Sequence, residues 1–209
     1  MTLENTPKPT SSKTTSSKPT SEVTSNATAT RLAVLDFGLF EVGDADVNGR
    51  RTIGIPGYFI AAGGARILVD TGFPRAYLED AEAAGERDGL HAFGRLVRMT
   101  EDHLPQAQLA RLGVRPGDVT HLVLTHGDID HVGGLHGFPG ATLVVGAAER
   151  ALPRPRYFGS ARPLEWPDQA TQLVAHDTDL APGVTLLVTP GHSPGHLSLL
   201  VRLPETGPV

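Results

Sequence analysis

Four side chains of the types that bind divalent metal ions lie within six positions in the middle of the chain. They are His126, Asp128, Asp130 and His131, and a glycine pair at 133–134 follows them closely. Imidazole nitrogens and carboxylate oxygens hold zinc, iron or manganese, and a site with an open coordination position can activate water for hydrolysis. The spacing therefore predicts a site for one or two metal ions, and a solvated Asp/His loop is the alternative.

A buried strand is expected directly before this cluster, because residues 119–124 are apolar and rich in β-branched side chains. Extended backbone alternates its side chains between two faces, so His126, Asp128 and Asp130 would share one face of the loop. His131 would then point elsewhere and serve a second position. The loop is thus predicted to hold its ligands at the end of a strand.

A second cluster of the same chemistry lies near the end of the chain. His192 and His196 belong to residues 189–196, between strands predicted over 184–188 and 197–203. Asp70 ends another predicted strand and stands two residues before a glycine. Taken alone, such an aspartate is typical of a turn, and support of a neighbouring site is the alternative.

The composition excludes several classes of function. None of the 209 residues is cysteine, which rules out disulfides, thiolate metal sites and cysteine nucleophiles. The formal net charge of −5 argues against a broad nucleic-acid-binding surface. No apolar run approaches the roughly 20 residues of a membrane span, so no membrane association is expected. No basic-then-apolar leader opens the sequence, so the expected location is the cytoplasm.

The domain organisation follows from a shift in composition. Residues 1–30 are rich in Ser, Thr, Pro and Lys and predict a disordered tail, whereas residues 31–209 predict one folded domain. Strands alternate with helices along this domain, which indicates an α/β fold with mixed sheets. Strands are predicted over 31–37, 54–62, 65–69, 119–124, 141–145, 184–188 and 197–203, and helices over 74–84, 90–99, 105–112 and 147–152.

Two separated motifs, taken together, resemble those of the metallo-β-lactamase superfamily. They are Thr-His-x-Asp-x-Asp-His-x-Gly-Gly at 125–134 and Thr-Pro-Gly-His-Ser-Pro-Gly-His at 189–196. Ile-Leu-Val-Asp-Thr-Gly at 67–72 looks like the first motif of that family, and the three occur in the family's order. The last motif is most similar to that of N-acyl-homoserine lactonase-like members. The resemblance implies an αββα sandwich, with mixed sheets flanked by helices and a metal site at one edge of the paired sheets.

The resemblance also implies which residues bind metal. His126, Asp128 and His192 fall at the ligands of a first ion, and Asp130 and His131 fall at ligands of a second. The implied activity is that of a hydrolase, in which a metal-activated water cleaves an ester, lactone, thioester or amide bond of a small-molecule substrate. Asp130 has a second candidate role, as the group that orients this water or moves its proton.

Two further motif residues have supporting roles in the family. Asp70 falls at an aspartate that supports the site from behind the ligands. His196 falls at a second histidine of the last motif, whose role is structural. Both are therefore expected near the metal ligands and not among them.

One departure from the family pattern concerns the metal. The family usually has histidine at the position of Asp128, so His126, Asp128 and His192 form a set of two histidines and one carboxylate. Such a set suits catalytic zinc with an open position, and equally non-haem iron or manganese. Zinc is expected, with iron or manganese as alternatives, and an iron-based redox enzyme on the same fold is a second hypothesis.

The other departure concerns the end of the sequence. Residues 204–207 are typical of a hairpin turn, but the family's bridging aspartate and a later histidine do not follow. We therefore expect a domain that lacks its last strands and helices. An exposed sheet edge would remain, which favours aggregation or pairing with another chain, for example as a homodimer. A truncated or degenerate domain with weak or no activity is the third hypothesis.

Overall fold

The structure is a computed structural model that describes Met1 and residues 29–43, 49–155 and 162–209. The tail predicted over residues 1–30 lies outside the described residues, apart from Met1 and its last two positions.

The strands are β1 (Arg31–Val42), β2 (Arg51–Ala62), β3 (Ala65–Val69), β4 (Gly94–Arg98), β5 (His121–Leu124), β6 (Thr142–Gly146), β7 (Thr171–Val174), β8 (Thr178–Ala181), β9 (Val184–Val188), β10 (Leu197–Leu203) and β11 (Gly207–Pro208). The α-helices are α1 (Ala76–Glu79), α2 (Ala81–Asp88), α3 (Pro105–Arg111), α4 (Ile129–Val132) and α5 (Ala147–Arg150).

The strands form two sheets, which confirms the mixed α/β class. The larger sheet has the order β4-β1-β2-β3-β5-β6-β7 and the smaller one β11-β10-β9-β8. β1 pairs antiparallel with both β2 and β4, and β2 pairs antiparallel with β3. β3, β5, β6 and β7 pair in parallel, in that order. Every pairing within the smaller sheet is antiparallel. The hairpin turn predicted at 204–207 forms and joins β10 to β11.

The central strands are buried on both faces, which explains their nearly continuous apolar sequences. Along β5, Leu122 and Leu124 contribute to a core beneath the helices, and Val123 between them points into a second core. Val184 and Leu186 of β9 belong to this second core, so it lies between the two sheets. The larger sheet is therefore the middle layer, with α1 to α4 on one face and the smaller sheet on the other.

Two of the predicted helices differ from the structure. The helix predicted over 90–99 is wrong: Leu90–Ala92 form a single 3₁₀ turn, and the rest becomes β4, which pairs with β1. The helix predicted over 74–84 is two short helices. Asp80 separates them because its backbone is extended (φ −154°, ψ 96°) and its carboxylate accepts a hydrogen bond from Ala83 N, which caps α2.

None of the helices formed by the described residues is long and apolar enough to cross a bilayer. The longest of them, α2, has 8 residues.

Candidate metal centre

Parallel strands deliver the polar residues to one edge of the larger sheet. The carboxyl ends of β3, β5 and β6 lie side by side, which is where α/β sheets bind ligands. Asp70 directly follows β3, and His126 and Asp128 follow β5. The chain bends at Thr125, is extended at Asp128 (φ −75°, ψ 151°) and enters α4 at Ile129. Asp130, which was expected to share one extended face with His126 and Asp128, therefore lies on a helical turn.

The loop that carries His192 is bound to the loop that carries His126. Leu197 N, at the start of β10, donates to the carbonyl of Thr125 at 2.8 Å. Thr189 N donates to the carbonyl of His196 at 2.9 Å and closes residues 189–196 into a compact loop. These backbone bonds bring together two motifs that are distant in sequence.

Three donor atoms from these loops converge on one point. His126 Nε2 lies 3.2 Å from His192 Nε2 and 3.4 Å from Asp128 Oδ2, and His192 Nε2 lies 3.1 Å from Asp128 Oδ2. We call His126, Asp128 and His192 the three-donor group. The side chains of His126 and Asp128 are buried, whereas that of His192 is 56% exposed. The group is thus anchored in the protein and opens to solvent on the side of His192.

The spacing of the three-donor group fits a metal ion. A tetrahedral ion with ligand distances of about 2.0–2.1 Å separates its ligand atoms by about 3.3 Å. The three separations in the structure, 3.1, 3.2 and 3.4 Å, lie close to that value. Two imidazoles and one carboxylate are also a common donor set for zinc, iron and manganese.

Thr125 fixes the orientation of His126. Its hydroxyl oxygen lies 2.7 Å from Asp70 Oδ2 and 3.0 Å from His126 Nδ1. If the hydroxyl donates to the carboxylate, its oxygen is left to accept a hydrogen bond from Nδ1–H of His126. That tautomer leaves the lone pair on Nε2, the atom that faces Asp128, as a metal ligand requires.

Asp70 contacts two residues of the segment that carries the candidate ligands. Its Oδ2 lies 2.8 Å from His131 Nδ1, and its Oδ1 accepts a hydrogen bond from Thr125 N at 2.8 Å. Asp70 is the one non-glycine residue of the described chain with a positive φ, 60°. Backbone strain of this kind persists where surrounding contacts hold a side chain in a required direction.

Asp130 and His131 form a second, smaller cluster beside the three-donor group. Asp130 Oδ2 lies 3.5 Å from His131 Nε2. Burial alone would lower the pKa of His131, but the carboxylates of Asp70 and Asp130 outweigh it and raise that pKa well above its usual value. Burial would raise the pKa of Asp130, but the neighbouring His131 lowers it overall. The side chains of Asp130 and His131 line the same cavity as the three-donor group.

His196 lies beside the site without joining the donor atoms. Its Nδ1 is 3.0 Å from Thr189 Oγ1, and its ring centroid is 5.3 Å from that of His126. Partial burial, together with the nearby His126 and His192, lowers the pKa of His196. These contacts suit the structural role that the resemblance implies.

The glycine pair permits the close backbone contact that its sequence suggests. Gly133 N donates to the carbonyl of Gly72 at 2.8 Å. A Cβ at Gly133 would lie 2.1 Å from the carbonyl carbon of Phe73, so a larger residue could not pack here. The end of α4 is thereby held against the segment that follows Asp70.

A cavity of about 380 Å³ opens beside the five candidate ligands. The other side chains that line it are apolar: Phe40, Val42, Ile53, Phe73, Leu90 and Phe93. For Tyr58, Phe59 and Phe73 the sequence favours core packing, with a place near the entrance of an acyl-chain site as the alternative. Phe59 and Phe73 are buried in the core, and Phe73 also lines this cavity. Tyr58 lines another cavity, between the sheets.

One residue that contacts both the His126 loop and the His192 loop was not predicted from the sequence. Glu149, in α5, is fully buried. Its Oε1 accepts a hydrogen bond from Gly127 N at 2.8 Å, and its Oε2 accepts one from Gly195 N at 3.1 Å. The one available signal was an acidic residue shortly after the buried strand β6, which by sequence is typical of a solvated helical turn.

Comparisons with known proteins agree with this geometry. Residues 54–207 match the sequence model of the Metallo-beta-lactamase superfamily. An N-acyl homoserine lactonase of Bacillus cereus is 33% identical over 144 residues, which are 68% of this chain and 55% of the relative. The corresponding lactonase of Bacillus thuringiensis is 34% identical over 146 residues, 68% of this chain and 56% of the relative. This chain thus spans about half the length of the curated relatives it matches.

Solved structures are similar over a larger part of the chain. An N-acyl homoserine lactone hydrolase, solved with the product N-hexanoyl-L-homoserine at its catalytic metal centre, superposes with a TM-score of 0.71 at 29% identity. The match covers 87% of this chain and 74% of that one. A mutant of AiiA from B. thuringiensis with N-decanoyl-L-homoserine at its active site gives a TM-score of 0.72, also at 29% identity and with the same coverage.

Proposed function

Because this chain belongs to the metallo-beta-lactamase superfamily, we propose that it is a metal-dependent hydrolase and that the three-donor group is its catalytic metal site. The observation that carries this proposal is the convergence of His126, Asp128 and His192 on one point beside an apolar-walled cavity. The names of the lactonase relatives support the assignment, since one of them holds its hydrolysis product at a metal centre.

We assign zinc as the metal of the three-donor group. Two imidazoles and a carboxylate around an open position are a frequent ligand set of catalytic zinc, and iron or manganese could occupy the same donors. Asp130 and His131 are assigned to a second ion. When bound, the metal supplies Lewis acidity, which activates a water molecule and polarises the carbonyl group of the substrate.

The protein's own side chains have three tasks in this reaction. Thr125 and Asp70 hold the imidazoles of His126 and His131 in fixed orientations, so that little reorganisation is needed during turnover. Asp130 faces the same cavity, where its carboxylate can accept a hydrogen bond from the attacking water and take its proton. The exposed side of His192 leaves room for the substrate to approach.

The proposed substrate is a lactone or related ester with an apolar acyl chain. Six apolar side chains line the cavity together with the candidate ligands, and an alkyl chain in contact with them would be removed from water. The products held by the two solved relatives carry six- and ten-carbon acyl groups, as their names state. The size of the cavity, about 380 Å³, is in the range of small-molecule sites.

Hydrolysis of N-hexanoyl homoserine lactone by the zinc-loaded chain tests the proposal. His126→Ala and His192→Ala should each abolish turnover and lose zinc, measured by elemental analysis, because each removes one ligand. His176→Ala is the matched control, since His176 is exposed and lies outside the candidate site. Full turnover with full zinc content in either ligand variant would refute the assignment.

Iron-based redox chemistry is a second candidate function, and the carboxylate in the three-donor group is the observation that favours it. A facial set of two histidines and one carboxylate is typical of non-haem iron enzymes. Elemental analysis of protein purified without added metal, together with its absorption spectrum, separates the candidates. Zinc without iron favours the hydrolase, and stoichiometric iron with a visible absorption band favours the redox enzyme.

A further inference from the structure

Glu149 contacts the two loops that carry the three-donor group, and it does so at one backbone position on each. Gly127 stands between His126 and Asp128, and Gly195 stands three residues after His192. One carboxylate oxygen of Glu149 accepts a hydrogen bond from Gly127 N, at 2.8 Å, and the other accepts one from Gly195 N, at 3.1 Å. The side chain thus bridges segments that lie 22 residues before it and 46 residues after it in the sequence.

The carboxyl group suits both of these bonds better than an amide would. Each of its two oxygens is an acceptor, whereas the amide of glutamine has one oxygen acceptor and an NH₂ group that would face an N–H donor. Glu149 is fully buried, and a buried carboxylate is tolerated where charge-assisted hydrogen bonds satisfy it. The two hydrogen bonds therefore offset the desolvation free energy of a carboxylate at a position where an apolar side chain would ordinarily pack.

The backbone that carries Glu149 is a firm anchor for the loops. α5 continues directly from β6, and β6 pairs in parallel with β5, with Leu124 opposite Val145. The loop 189–196 lies directly on this turn, because a Cβ at Gly195 would be 2.2 Å from Glu149 N. Glu149 is thus fixed by the same sheet that delivers His126.

We propose that Glu149 is a positioning residue, which holds the two loops at the separation that the three-donor group needs before metal binds. The inference rests on the proposed metal centre and extends it to a residue outside the sequence motifs. Asp70 orients Thr125 and His131, which belong to one loop. Glu149 instead bonds both loops, so its loss should act on their relative placement and hence on metal affinity.

Glu149→Gln tests the inference, with Asp88→Asn as the matched control. Asp88 is comparable to Glu149 because it is also a buried carboxylate in a helix, 1% exposed. Its oxygens contact the Tyr77 hydroxyl and the Arg87 guanidinium. Both changes replace one buried carboxylate by an amide. Zinc affinity, measured by competition with a chelator, should fall about 10–100-fold in Glu149→Gln, the range typical of outer-shell partners of metal ligands. It should stay within about twofold in Asp88→Asn, even if that variant unfolds at a lower temperature.

A second readout does not require metal at all. In the metal-free protein, the amide protons of Gly127 and Gly195 should exchange slowly in the wild type and faster in Glu149→Gln, while the amide of Leu197 keeps its protection. If Glu149→Gln does not fold, Glu149→Asp gives the same comparison, because its shorter side chain cannot reach both N–H groups at once.

The outcomes distinguish the inference from the proposed function. A wild-type chain that binds no zinc refutes the proposed metal site, and the exchange rates still decide whether Glu149 orders the two loops. A wild-type chain that binds zinc, together with a Glu149→Gln variant of equal affinity and unchanged exchange at both glycines, refutes the positioning role alone. Equal losses of affinity in Glu149→Gln and Asp88→Asn would also refute it, because they would reflect general destabilisation.

Discussion

At the scale of single residues, Asp128 is the side chain whose type most affects the chemistry of the site. It brings a negative charge and a hard oxygen donor to a position where the family usually has an imidazole. Its Oδ2 lies 3.1 Å from His192 Nε2 and 3.4 Å from His126 Nε2, so it is an equal member of the three-donor group. A harder donor set moves the balance of affinities from zinc toward manganese and iron.

Asp128→His should therefore change metal selectivity more than metal occupancy. We expect the ratio of zinc to manganese affinity to rise roughly tenfold or more, which corresponds to about 1.4 kcal/mol. Competition titrations of the two metals against the same chelator measure this ratio. A ratio that stays constant or falls would mean that Asp128 does not contact the ion.

Residue types and local spacing singled out four of the candidate ligands, because these four lie within six positions. His192 was assigned through the resemblance of its motif to that of the family. Thr125 and Glu149 were not predicted as site residues. Thr125 acts through one hydroxyl that bridges Asp70 and His126, and Glu149 acts through backbone N–H groups far away in sequence. The contacts of Glu149 leave no pattern in the sequence, since any residue except proline supplies a backbone N–H.

At the scale of elements, the site depends on strand ends and on the loops that leave them. The buried strands β3, β5, β9 and β10 were predicted closely because their apolar runs are continuous and bounded by turns. β4 was mistaken for a helix, and β7 and β8 were not predicted. These strands are only four or five residues long, and most of their side chains are exposed or half-buried, so their apolar pattern is weak. β4 also pairs with β1, which lies more than 50 residues before it. Local pattern carries little information about such pairing.

Gly195→Ala should destabilise the contact between the last motif loop and α5. A Cβ there would lie 2.2 Å from Glu149 N, so the loop must shift, at a cost of about 1–3 kcal/mol. Gly191→Ala in the same loop is the control, because its Cβ would meet nothing within 4 Å. Urea unfolding of both variants measures the difference. Equal stability of the two variants would show that the loop does not lie on α5.

At the scale of the whole molecule, the candidate site joins the two sheets. His126 and Asp128 come from the end of a strand in the larger sheet, and His192 comes from the loop between β9 and β10 of the smaller sheet. A metal held by all three residues would add a cross-link to the inter-sheet core, the backbone bond at Thr125 and the two hydrogen bonds of Glu149. Metal binding should therefore be coupled to the stability of the entire domain.

Zinc should raise the melting temperature of the wild-type chain. At a free zinc concentration 100 times the dissociation constant, the stabilisation is about 2.7 kcal/mol. For a domain of this size, that corresponds to a rise of about 5–10 °C, measurable by calorimetry. His192→Ala should remove the rise, and His176→Ala should keep it. A zinc-induced rise of equal size in His192→Ala would place the stabilising ion elsewhere.

Anomalous diffraction at the zinc edge, from crystals of the zinc-loaded chain, tests the three-donor group most directly. If these residues hold the ion, an anomalous peak should lie about 2.0–2.2 Å from His126 Nε2, Asp128 Oδ2 and His192 Nε2. Zinc bound only at other residues, or crystals from zinc-saturated protein with no peak between these three atoms, would contradict it.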